Sequence, residues 1–239
     1  STGSTNGTGT AARFNSPRGV TVDGSGHVYV ADAYNNTIRK ITSSAVVTTL
    51  AGLAGTSGST DDIGSVARSN SPYGVAVDAS GTVYATDTIT HTLRTINSSG
   101  TVIPLAGTSG SPGSTEGTGA AARFDTPFGV AVDGSGNVYV ADTNNHTIRK
   151  ITSAGVVTTL AGTAGTSGST NATGTAATFN QPRGVAADGS GNIYVADTDN
   201  HIIRKITSGG VVTTFAGTAG SPGSTDGSGA AARFNYPNG

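Results

Sequence analysis

Residues 129–150 read GVAVDGSGNVYVADTNNHTIRK. A short apolar run leads into an Asp-Gly-Ser-Gly turn, a second apolar run follows, and a polar turn opens a third. The same phrase, lightly edited, begins at Gly19, Gly74, Gly129 and Gly184, spaced 55 residues apart without insertion or deletion. The proline two residues upstream keeps that beat through Pro17, Pro72, Pro127, Pro182 and Pro237. A fixed period of this size marks a stacked array of supersecondary units, each too small to bury its own apolar face alone.

Working outward from that phrase, each repeat holds four candidate strands. In the first they are residues 20–23, 27–32, 37–42 and 46–51. Val28 and Val30 point to one side of the second strand, Tyr29 and Ala31 to the other. Both faces are apolar, as in a sheet covered on both sides. The Asp-Gly-Ser-Gly turn carries the residues of a tight hairpin. The third and fourth strands grow more polar, as an outer edge should, and no segment keeps a helical apolar period. Four short antiparallel strands per repeat describe the blade of a β-propeller, so the expected fold is all-β. Between blades lies a connector rich in Gly, Ser and Thr, first seen at residues 1–18 (STGSTNGTGTAARFNSPR). Its first half is loop punctuation. Its second half brings Phe14, Phe124, Phe179 or Phe234 toward the sheets, with Ser69 at that place in the second repeat.

The phrase P-x-G-V-A-V-D, then G-N-V-Y-V-A-D-T-x-N-H-x-I-R-K-I, resembles the NHL repeat. The resemblance covers all four repeats. It implies an NHL β-propeller of four-stranded antiparallel blades, and its 55-residue form is similar to bacterial tandem NHL arrays. Residues 1–239 then form a single propeller segment with repeats 1–55, 56–110, 111–165 and 166–220 and a partial repeat 221–239. NHL propellers commonly close as six-bladed rings, whereas this chain holds four complete blades and a fifth connector. Four blades are expected to belong either to a larger ring or to an open array.

Charge excludes one class of partner. Thirteen basic and fourteen acidic side chains leave a net charge of −1, which argues against nucleic acid as a partner, since phosphate binding needs a basic excess on some face. No apolar run reaches the roughly 20 residues of a membrane span. The chain has no Cys and no Met, which excludes disulfides and suits an exposed, extracellular or cell-surface setting. The missing initiator points to a processed chain or a piece of a longer one.

Few side chains offer chemistry. Asp32, Asp87, Asp142 and Asp197 stand seven residues before Arg39, Arg94, Arg149 and Arg204. A pair repeated in every blade reads as a structural fastener. Asp23, Asp78, Asp133 and Asp188 sit at the first hairpin and suit an Asx turn better than a calcium site. His91, His146 and His201, with Asn36 in the same phase, read as turn residues rather than metal ligands. The connector residues Asp61, Asp62, Glu116 and Asp226 read as solvated. Asn6, Asn35, Asn97, Asn145 and Asn171 open candidate N-glycosylation sequons in turns and connectors. No catalytic residue, metal ligand or cofactor is expected. Arg18, Tyr73, Phe128, Arg183 and Asn238 follow the five prolines and vary between repeats, which makes them a candidate binding rim.

These features favour a non-catalytic scaffold or recognition module whose rim meets protein or carbohydrate. The alternatives are a unit of an extracellular, glycosylated fibre or tandem array joined end to end with further copies, and a propeller lyase or hydrolase with an axial metal.

Overall fold

β-branched and aromatic residues alternate across each apolar run, and Asp-Gly-Ser-Gly or its variants turn the chain back after it, so each repeat folds as an antiparallel meander. The computed structural model describes residues Ser1–Gly239. The first sheet comprises β1 (Gly7–Thr8), β2 (Pro17–Val22), β3 (Val28–Asp32), β4 (Thr37–Ile41) and β5 (Val46–Ala51). The second has β6 (Pro72–Val77), β7 (Val83–Asp87), β8 (Thr92–Ile96) and β9 (Val102–Ala106). The third has β10 (Gly117–Thr118), β11 (Pro127–Val132), β12 (Val138–Asp142), β13 (Thr147–Ile151) and β14 (Val156–Ala161). The fourth has β15 (Pro182–Ala187), β16 (Ile193–Asp197), β17 (Ile202–Ile206) and β18 (Val212–Ala216). Each sheet is a β-propeller blade whose four long strands pair in chain order, with the short β1 and β10 added beside β5 and β14.

The first strand of each blade starts at the proline, three residues earlier than the hydrophobic pattern suggests. Proline lacks a donor, but as the first strand residue, beside a bulge between Pro127 and Val130, it interrupts no ladder bond. The residue before it adopts a positive φ in every repeat, as at Thr126 (φ 54°). This is an unusual conformation ahead of proline. Where a blade precedes it, that blade accepts its N–H: Thr126, Gln181 and Tyr236 each donate a backbone N–H to Nδ1 of His91, His146 and His201, at 3.0–3.1 Å, while Ser16, with no blade before it, has φ 48° as well. Asn36 receives the equivalent bond from Ser71 through Oδ1. His and Asn exchange at this turn because both accept one hydrogen bond. Burial, opposed in part by the Asp199 charge, lowers the pKa of His146 and so favours the neutral ring that can accept.

The connector lies along the outer strand of its own blade. Gly117 and Thr118 pair with Val157 and Val156, and isolated bridges at Ile63–Thr101 and Thr173–Val211 do the same in the second and fourth repeats. An otherwise bare sheet edge is thereby covered. A single 3₁₀ turn follows, as at Gly119–Ala121. Phe124 and Phe179 then enter the spaces between blades and are wholly buried.

Three apolar cores fill those spaces. The middle one joins Ala76, Leu93 and Ala106 of the second blade to Phe124, Val130, Val138 and Ile151 of the third. The first has no connector aromatic, because Ser69 stands in its place. No core lies between the fourth blade and the first. Val20, on the open face of the first blade, is 66% exposed, whereas its counterparts Val75 and Val130 are 6% exposed. Phe215, on the open face of the fourth, is 55% exposed. The arrangement is an open arc of blades.

Close approach of the innermost strands depends on one glycine per repeat. A Cβ built on Gly129 would lie 2.3 Å from the Arg183 carbonyl oxygen, and one on Gly74 would lie 2.4 Å from that of Phe128. Both obstacles are backbone and cannot swing aside.

The Asp–Arg pairs fasten connector to blade. Arg149 Nη1 donates to Asp142 Oδ2 at 2.9 Å, with both side chains fully buried. The same arginine also donates to the connector carbonyls of Arg123 and Thr115 and lies over the Phe124 ring. Asp142 Oδ1 receives the Asp125 N–H, and Oδ2 also receives Asn145 Nδ2. The pattern recurs at Asp32–Arg39 and Asp197–Arg204, each at 2.9 Å. Repeat two departs from it. Arg94 turns to Asp61 in its connector, leaving Asp87 3.6 Å away with Oδ2 unpartnered. Burial pushes the Asp87 carboxyl up to about 7, and Asp142, better paired, to about 6. The connector position is exposed, yet its side chain is tied to the blade in four repeats. Asn6 and Asn171 hold Arg39 and Arg204 through Oδ1, and Asp61 holds Arg94. Glu116 differs, accepting the Thr159 N–H instead.

Two stability predictions follow from these contacts. Gly129→Ala should cost about 1–3 kcal/mol through steric overlap. Gly134→Ala, where an added Cβ meets nothing within 4 Å, should stay within about 0.5 kcal/mol. Urea denaturation compares them, and equal effects would refute the close-approach argument. Asp142→Asn places an amide donor against Asn145 and Arg149 and should cost about 3–5 kcal/mol. Asp87→Asn removes a buried charge whose Oδ2 has no partner and should cost less than about 1 kcal/mol. Equal losses in thermal unfolding would show that the two pairs do the same job.

Candidate ligand-binding site

The inner strands β2, β6, β11 and β15 stand side by side around an axial channel walled by Val20, Val75, Val130 and Val185 and by Thr or Ala beside them. At the end where these strands begin, each repeat places the residue between its proline and its glycine at the channel mouth. Proline fixes the entry of the strand and glycine its close packing, so the intervening side chain is free to project. Arg18, Tyr73, Phe128, Arg183 and Asn238 meet there.

Their side chains touch in series. The Arg18 guanidinium carbon lies 5.5 Å from the Tyr73 ring centre. Tyr73 meets Phe128 edge to face, with ring centres 4.4 Å apart. Arg183 lies 5.1 Å from the Phe128 ring centre. Asn238 reaches across to donate Nδ2 to the Tyr73 hydroxyl oxygen at 2.9 Å. The cavity behind this series has a volume of about 470 Å³. No Asp, Glu, His or Ser lines it.

The remaining candidates lie elsewhere. Asp133 organises its hairpin: Oδ1 accepts the backbone N–H groups of Ser135 and Asn137, and Oδ2 accepts Asn137 Nδ2 and the Tyr139 hydroxyl. Against a burial penalty, these donated bonds lower the pKa of its carboxyl, while burial and the Asp133 charge push Tyr139 up to about 12. Asp23, Asp78 and Asp188 repeat the arrangement. Nowhere do three His, Asp or Glu side chains come together as a metal site. Each of the three histidines discussed above serves a separate contact between blades.

The sequons divide. Asn35 and Asn145 are buried, and their Nδ2 atoms, where a glycan would attach, donate to Gly3 and Asp32 and to Gly113 and Asp142. Those two positions are closed to modification in the folded protein, contrary to the sequence expectation. Asn6, Asn97 and Asn171 are exposed. Asn6 and Asn171 already hold buried arginines through Oδ1, whereas Asn97 sits in a hairpin turn.

The sequence reading did not assign the connector residues Asn6, Asp61 and Asn171 to the arginine network. Their signal was a side-chain acceptor recurring 33 residues before each arginine, with Glu116 the exception in its contacts.

A family model described as NHL repeat matches residues 14–41, 124–151 and 179–206. NHL repeat-containing protein 2 of Bos taurus is 34% identical over 148 residues, covering 56% of this chain and 20% of that protein. Among solved structures, an auxiliary nutrient binding protein from Bacteroides ovatus superposes with a TM-score of 0.68 at 20% identity, covering 93% of this chain and 53% of that one. Virginiamycin B lyase from Staphylococcus aureus superposes with a TM-score of 0.57 at 15% identity, covering 86% and 56%. The chain thus spans a fifth of the bovine relative and about half of each solved protein, and at these identities the two structures speak to the fold alone. The chain carries sequence matches to the NHL repeat in three of its four blades and is similar to NHL repeat-containing proteins, on a β-propeller fold.

Proposed function

We propose that the chain is a non-catalytic recognition module, with the axial mouth as its binding surface and the blades as its scaffold. The observation that carries this reading is the convergence of Arg18, Tyr73, Arg183 and Asn238 on one cavity, with Phe128 packed between Tyr73 and Arg183. They are drawn from the one phase of the inner strand where the repeats differ most in chemistry. Elsewhere the repeats spend their polar groups on their own architecture. Aromatic and arginine side chains around a concave site are the usual means of recognition. The B. ovatus neighbour, named for nutrient binding, is compatible with such use of the fold. A lyase or hydrolase reading finds no Asp, Glu or His at the mouth to serve it. A carbohydrate or protein ligand outside the cell or at its surface suits the cysteine-free composition.

A glycan array and a panel of extracellular matrix proteins test this. Wild-type protein should retain specific members, and Phe128→Ala should weaken them by at least about tenfold. Binding by wild type to nothing on either panel, or binding that Phe128→Ala leaves intact, would overturn the proposal.

The bare end faces support a second reading, in which further blades continue the arc. The three internal cores indicate what covers such a face: the front of another NHL blade. Val20 and Val22 on the first blade and Phe215 on the fourth are the two halves of one more contact of that kind. End-to-end association of copies would make a fibre or tandem array, and a glycan on Asn97 would leave both faces clear. Light scattering across a concentration series should reveal growing assemblies that Val20→Lys abolishes. A monodisperse monomer at every concentration would refute association between copies.

A further inference from the structure

We infer that the ligand of the axial mouth is a small molecule carrying a carboxylate, which Arg18 and Arg183 receive. This rests on the mouth being the binding surface and adds the chemistry of what binds there.

The argument comes from how this chain uses arginine. Every other arginine donates to a carbonyl, hydroxyl or carboxylate of the protein itself. Arg18 and Arg183 alone make neither a hydrogen bond nor an ion pair within the chain, and both stand at the mouth. Arg183 is half-buried, and its Nε is a buried donor without a partner. Nε is equally unpartnered in Arg39, Arg149 and Arg204, so what sets Arg18 and Arg183 apart is that their Nη groups also have no acceptor in the chain.

The aromatic neighbours position these cations without occupying them. A ring attracts a guanidinium through its π face and takes none of its N–H donors. Tyr73 and Phe128 therefore hold two arginines in place while leaving their donor edges available. Tyr73 accepts from Asn238, so its own hydroxyl proton remains free to give. No acidic side chain lines the cavity to neutralise the pair, although the chain as a whole is slightly acidic.

Size and geometry narrow the class. A cavity of about 470 Å³ suits a small molecule, and the Asn238–Tyr73 bond crosses the mouth where a polymer strand would have to thread. The planar fork of arginine matches the two coplanar oxygens of a carboxylate better than it matches a tetrahedral anion. A sugar acid or dicarboxylate has the required charge and bulk, and the largely apolar lining of the mouth cavity accepts its carbon frame.

Calorimetric titration of the whole chain with glucuronate, glucose, malonate and sulfate tests the inference. Glucuronate or malonate should bind, and added salt should weaken that binding. Glucose and sulfate should bind at least about tenfold more weakly. Arg183→Gln should reduce carboxylate affinity by at least about tenfold, with Arg18→Gln as a second variant at an exposed position should the first not fold. Equal affinity for glucose and glucuronate, or sulfate as tight as either carboxylate, would overturn the inference. So would a folded Arg183→Gln protein that binds as wild type does. If neither carboxylate binds while a neutral glycan on the array is lost on Phe128→Ala, the inference falls and the recognition reading stands.

Discussion

A guanidinium buried beneath a phenyl ring and tied at once to a carboxylate and to loop carbonyls holds three of the four blades to their connectors. Asp142 and Arg149 illustrate the constraint. Two charges with no solvent exposure are tolerable only if every lone pair and nearly every donor is met. The connector supplies what the sheet lacks, through the carbonyls of Thr115 and Arg123 and the N–H of Asp125. A Gly/Ser/Thr-rich segment with little apolar surface would otherwise have little reason to order. Burial of the ion pair and ordering of the connector are the same event. Nε of Arg39, Arg149 and Arg204 remains unpartnered in all three well-formed copies, a cost the repeat carries uniformly.

Once the connector is ordered, its end is fixed with little freedom. The proline follows a residue at positive φ, bonded through its N–H to the preceding blade wherever there is one, and the glycine two positions later must lie against a neighbouring backbone. Those two constraints leave one side chain between them unrestricted, and its position around the axis is set by the blades rather than by its own chemistry. Variation is therefore cheapest where the inner strands meet. This is the opposite of Asp142 or His146, where a substitution disturbs the same contact that every other blade also needs.

Periodicity made the architecture readable in advance. The Asp-Gly-Ser-Gly turn and the alternation of Val138, Tyr139, Val140 and Ala141 determine strand, turn and register locally, because side-chain direction in a strand follows from spacing alone. The seven-residue offset of Asp142 and Arg149 spans one hairpin, so their pairing is also a local matter. Contacts beyond one repeat length were harder to read. That Asn35 and Asn145 lie inside the fastener rather than on a solvated turn depends on where the connector, some 32 residues upstream in sequence, crosses the blade. The role of Asp61 depends on the same crossing. The open arc was legible only as a choice, since repeat number counts blades but closure depends on twist and spacing that short motifs do not encode.

Arginine gives the clearest separation between architecture and the mouth. At Arg149 the surrounding sequence provides acceptors at fixed offsets, and the same offsets recur in the sister repeats. At Arg183 it provides none: the matching phase holds Tyr73 and Phe128, which can cradle a cation but cannot neutralise it. Arginine in a repeat protein can thus be sorted by whether its acceptors are repeated along with it. Where they are, the residue serves the fold. Where the arginine appears in some repeats and its acceptor in none, the acceptor has to come from outside the chain, as water or as a ligand. At Arg183 that outside acceptor has to meet the Nη groups, since its Nε is as closed to solvent as those of Arg39, Arg149 and Arg204.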